Sequence, residues 1–170
     1  MQHIHIKLFA EKSSTIRLSD AIAVFHRWIQ TSAVPGLLID VADYSHVVNG
    51  PGVVLIGHES YYSLDFNKGR LGLLYQRKAK AAGSDVEILR DAWQSARFAA
   101  NLLEQEPEFA GKLCFRQDRL AVTLNSRVQY PNTDETWATI KPTLQAVLDG
   151  YTLVRNEDPR ERFEVLASRA

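Results

Sequence analysis

The stretch Gly50 to Gln76, GPGVVLIGHESYYSLDFNKGRLGLLYQ, narrows the possible folds more than any other part of the chain. Val53 to Ile56 form an apolar, β-branched run that continues through Gly57, His58, Glu59, Ser60, Tyr61 and Tyr62. Such content favours a pleated strand, and Pro51-Gly52 marks its start. Arg70 to Arg77 reads as a returning arm, with Asn67-Lys68-Gly69 as the turn between them. Gly69 tolerates positive φ, which favours a three-residue loop closing on a glycine bulge. That loop predicts Phe66 opposite Arg70, Tyr61 opposite Tyr75 and Glu59 opposite Arg77. A slip of one residue would send every side chain to the other face.

The remaining elements follow from hydrophobic period. His3 to Phe9 alternates, with Ile4, Ile6 and Leu8 on one side and His3, His5 and Lys7 on the other, as in a half-buried edge strand. Ser19 precedes a helical stripe of Ile22, Phe25 and Ile29. Leu37 to Val41 is a short strand. Ser84-x-x-Glu87 is a capping box opening a long helix to about Gln105, rich in alanine on its buried face. Lys112–Arg116 and Arg119–Leu124 read as a second hairpin with its tip at Gln117-Asp118. Asn132 is the expected cap of a third helix, which Pro142 should kink or divide. Tyr151–Arg155 and Arg160–Leu166 read as a closing hairpin. The predicted order is β-α-β-β-β-α-β-β-α-β-β, with one parallel pair allowed by the leading β-α-β. The fold class is α+β: one domain over residues 1–170, a largely antiparallel sheet built of hairpins, and helices on one face.

Composition bounds the function. Lys plus Arg and Asp plus Glu each number 20, so no broad basic field marks a nucleic-acid binder. The N-terminal MQHIHIKLFA is too short and too polar for a signal peptide, and no run approaches the roughly 18 apolar residues of a membrane span. The single cysteine, Cys114, excludes an internal disulfide and fits a reducing compartment. The expectation is a cytoplasmic protein with neither nucleic acid nor membrane as partner.

No metal, nucleotide or nucleophile signature is complete, so no cofactor and no metal site are expected and enzymatic activity is left open. His3 and His5 could hold an ion between them, but no third ligand accompanies them. Asp40, Asp43 and His46 match no defensible metal spacing. His26 has no positioned partner, and neither a base nor an electropositive setting accompanies Cys114. The best candidate is the middle of the long hairpin. His58 and Glu59, adjacent on a strand, would face opposite ways. Glu59, Tyr61, Tyr75 and Arg77, with His58 behind them, would then form an aromatic-walled cleft for a cationic or polar-aromatic small molecule. A cross-strand Glu59–Arg77 pair on an open face is the simpler account of the same residues. The alternative function is a non-catalytic interaction module acting as a homodimer, joined along a hairpin or a sheet face, with Val53 to Ile56, if exposed, as its adhesive stretch.

Overall fold

The computed structural model describes all 170 residues. In chain order its elements are β1 (Ile4–Ala10), α1 (Asp20–Thr31), β2 (Leu38–Tyr44), β3 (Gly52–Gly57), β4 (Ser60–Asp65), β5 (Gly72–Arg77), α2 (Asp85–Gln105), β6 (Phe115–Leu124), α3 (Asp134–Val147), β7 (Thr152–Arg155) and β8 (Phe163–Ser168). The strands form one sheet in the order β2-β3-β4-β5-β1-β6-β8-β7. Every neighbouring pair is antiparallel, so the parallel pair allowed by the leading β-α-β does not form.

Chain order and spatial order differ at one place that matters. β1 is central, between β5 and β6, rather than the edge strand its polar alternation suggested. α1 carries the chain from β1 out to the β2 edge, and a meander of four strands returns to β1. α2 then crosses to β1's other side. Alternation along β1 sends Ile4, Ile6 and Leu8 into the core and His5, Lys7 and Phe9 to the opposite face. The core is one cluster of 34 buried residues that joins the three helices to that first face. Ala92, Ala96, Ala99 and Ala100 of α2 are buried there, and their small volume lets the helix axis approach the strands closely.

Eight strands and three helices are present as expected, with two strands reapportioned. The first arm of the long hairpin breaks at His58-Glu59, giving β3 and β4, with Ile56 opposite Tyr61. Neither turn residue has positive φ and neither is a customary turn former, which hid the break. Conversely, Gln117-Asp118 is no hairpin tip but lies inside the continuous strand β6. Between β4 and β5 the loop runs from Phe66 to Leu71, longer than the three residues expected. Lys68 and Gly69 both take left-handed φ, at 54° and 67°, and the Asn67 N–H donates to the Asp65 carboxylate at 2.7 Å. The register moves by one: Tyr62 faces Tyr75, Tyr61 faces Gln76 and Ser60 faces Arg77.

The capping box at Ser84 and Glu87 forms as read. For α3 the cap is Thr133, whose hydroxyl accepts from the Thr136 N–H. Asn132 is instead buried, its amide donating to the Asn156 and Asp158 carbonyls at 2.7 and 2.8 Å. Pro142 does not divide α3. The carbonyl it frees belongs to Ala138, and both residues lie on the exposed side, where the freed carbonyl is open to solvent.

Candidate functional site

Helices cover one sheet face and leave the other open. Across the middle of that open face the register aligns Ser63, Leu74, Lys7 and Ala121 in one row. A second row holds Tyr61, Gln76, His5, Thr123 and Glu164. A cleft of about 340 Å³ lies over β1, with His5, Lys7, Asp65, Thr123 and Glu164 along it and Arg127 and Arg162 at its rim.

Its floor carries an ion pair. Lys7 Nζ donates to Asp65 Oδ1 at 2.6 Å, although the two side chains expose only 13% and 1% of their surface. β5 lies between the strands that bear them, so the lysine must cross it. It does so at Gly72, where an added Cβ would stand 2.8 Å from Lys7 Cε and 2.4 Å from the Leu8 carbonyl oxygen. The glycine thus makes the crossing possible. Burial pushes the Lys7 ammonium below its ordinary pKa and the Asp65 carboxyl above its own, and mutual attraction only partly opposes both shifts. Burial thus outweighs the partner's attraction in setting the direction of each shift, as is common for charges withdrawn from water.

His5 sits beside this pair. Burial, then the nearby charges of Arg162 and His3, lowers its pKa to about 4, so the imidazole is neutral at pH 7. Thr123 donates to Glu164 across the β6–β8 ladder at 3.4 Å. A neutral imidazole, a hydroxyl, a carboxylate and an ammonium thus share one cleft, a set able to hold a polar ligand through both donors and acceptors.

A second cavity of about 330 Å³ adjoins the first, sharing Phe9 and Arg70. Arg70 lies over the Phe9 ring at 4.5 Å and forms the divide. Eight of the chain's 20 Lys and Arg residues line the two cavities, against four carboxylates. On a chain of net charge zero, this face gathers positive charge.

The five residues expected to form a cleft are not brought together, and none lines either cavity. His58 and Glu59 are exposed in the β3–β4 turn, not mid-strand on opposite faces. Tyr61 lies half-buried on the open face, its hydroxyl bonded by Lys78 Nζ at 3.1 Å with that ammonium 4.5 Å from the ring. Tyr75 is buried on the helix side, edge-on to Tyr62 at 5.2 Å. Arg77 pairs with Asp91 of α2 rather than with Glu59. The one-residue change of register accounts for this dispersal, because it puts Tyr61 and Tyr75 on opposite faces.

Of the other residues considered, His26, His46, Asp40 and Asp43 are exposed, and no group of three or more His, Cys, Asp or Glu is placed to hold a metal ion. The Cys114 thiol is pushed up by partial burial and by the carboxylates of Glu104 and Glu11, which disfavours the reactive thiolate. No helix is long and apolar enough to cross a membrane. Sequence reasoning passed over Lys7, Asp65 and Gly72. A glycine inside an otherwise apolar strand was the available signal, since it marks a place where something approaches the backbone closely. No family model matches the chain, and no curated protein or solved structure matches it either.

Proposed function

We propose that the chain is a small-molecule binding protein whose site is the cleft over β1, and that its ligand is anionic rather than cationic. The observation that carries this reading is the buried Lys7–Asp65 pair on the sheet face opposite the helices. Such a pair is a poor device for stability. It is a good device for presenting a fixed ammonium and a fixed acceptor to a guest. The excess of Lys and Arg around it supports an anion. The carboxylates of Glu161 and Glu164 interrupt that charge, which suits a small ligand better than a nucleic-acid backbone needing a continuous basic track.

The test is a thermal-shift and calorimetric panel of phosphates and carboxylates, neutral sugars and organic cations at low salt. Anions should raise the melting temperature of the wild type, because a ligand binding only the folded form stabilises it. The Lys7→Met/Asp65→Leu double variant should lose the response. Stabilisation by cations alone would rule the reading out.

A homodimer is the second reading, and one observation favours it. Edge strand β2 and its flanks expose Leu37 at 67%, Ile39 at 54% and Val48 at 89%, beside an unpaired strand edge. Val53 to Ile56 do not supply that surface, since β3 is paired on both sides and its Val53 and Leu55 are buried. Sedimentation at high micromolar concentration decides it: a strict monomer removes this reading.

A further inference from the structure

Among the residues lining the second cavity is a cation with a buried donor that no acceptor meets. The Nε–H of Arg119 is buried and has no hydrogen-bond partner. A guanidinium donor left unsatisfied away from water is costly, so it calls for an acceptor. The backbone supplies the reason for its position. Along the β1–β6 ladder, Leu8 pairs with Leu120 and Ala10 with Phe115, so Phe9 alone spans the four residues Arg116 to Arg119. Bulges of this kind re-aim side chains. This one turns both arginines toward the cavity, and it is tied down by Tyr151 Oη donating to the Gln117 carbonyl at 2.7 Å and by the Arg169 N–H donating to the Asp118 carbonyl at 2.9 Å. Arg116 is already neutralised, its guanidinium bonded twice by Asp118 at 2.9 and 2.6 Å. Arg119, Arg70 and Lys12 remain, opposed in the cavity by Glu11 alone.

We propose that this second cavity is an oxyanion subsite, with Arg119 as its principal donor and Arg70 and Lys12 around it, and that it takes the phosphoryl group of a phosphorylated small molecule. The inference rests on the reading of the first cleft as the ligand site. The body of the ligand lies over Lys7, Asp65 and Thr123, and its phosphoryl group passes Arg70 to reach Arg119. A planar guanidinium suits a phosphoryl group because it can donate to two of its oxygens at once.

Inorganic phosphate is the probe. Arginine Nε–H resonances are followed by NMR during a phosphate titration of the full chain, together with the amides of His5, Lys7 and Thr123. The expected result is a downfield shift of the Arg119 Nε–H that saturates at millimolar phosphate. Arg119→Gln should weaken binding at least tenfold while its amide spectrum stays that of the folded wild type. Arg90→Gln, which removes an exposed cation on α2 that lines neither cavity, should change binding less than threefold. Phosphate that perturbs the Lys7 and Thr123 amides but leaves the Arg119 resonance still would overturn the subsite and spare the cleft. A spectrum that answers phosphate nowhere on this face would overturn the subsite, and the panel above would then judge the cleft by itself.

Discussion

Lys7 and Asp65 hold each other in place, and the cost of parting them is asymmetric. Asp65 exposes 1% of its side chain and Lys7 13%, so the carboxylate has less access to water once alone. Lys7→Met should therefore destabilise by about 3–5 kcal/mol, the range for a stranded buried charge, and Asp65→Leu by less. The double variant, which leaves no charge behind, should unfold in urea near the wild-type midpoint. His5 gives the second prediction at this scale. Its folded pKa is about 4, against 6.5 for the free side chain. Between those values the unfolded chain binds the extra proton and the folded chain does not, so stability falls as pH falls. The loss from this one group should be about 2 kcal/mol at pH 5 relative to pH 8. Asp65, whose carboxyl is pushed up by burial, works in the opposite sense. Comparing wild type with His5→Gln isolates the histidine: the variant's urea midpoint should decline less between pH 8 and pH 5.

At the scale of elements, β5 must be thin where the lysine crosses it. Gly72→Ala puts a methyl group against both the Leu8 carbonyl and the Lys7 stem. The substitution should cost about 1–3 kcal/mol or more, the range for overpacking, and should release Lys7 from Asp65. Urea unfolding gives the first effect and the Lys7 Nζ resonance the second. The elements themselves were largely legible. Alternation gave β1, the Ile22–Phe25–Ile29 stripe gave α1, and the Ser84–Glu87 box gave the start of α2. What misled was local turn chemistry. His58-Glu59 turns without a turn signal, while Gln117-Asp118 carries a turn signal and forms a bulge. The loop from Phe66 to Leu71 then set a register that residue types alone could not choose, and with it the face of each tyrosine.

Across the whole molecule, the site depends on strand order, which local sequence does not encode. His5 and Lys7 read as the wet side of an edge strand because alternation is the same at an edge and at the centre. The structure seats β1 between β5 and β6, so the same two side chains stand mid-sheet, within reach of Asp65 from one side and Thr123 and Glu164 from the other. A net charge of zero likewise hid how the charges are distributed. Binding of an anion there should weaken as salt is raised from 50 to 500 mM, since the rim charges are exposed and screened. The most direct test of the account is an amide chemical-shift map of the full chain titrated with glycerol 3-phosphate at low salt. The account predicts shifts concentrated on His5 to Phe9, Asn67 to Arg70 and Arg119 to Thr123. Shifts confined to the His58–Tyr61 turn or to the β2 edge would contradict it.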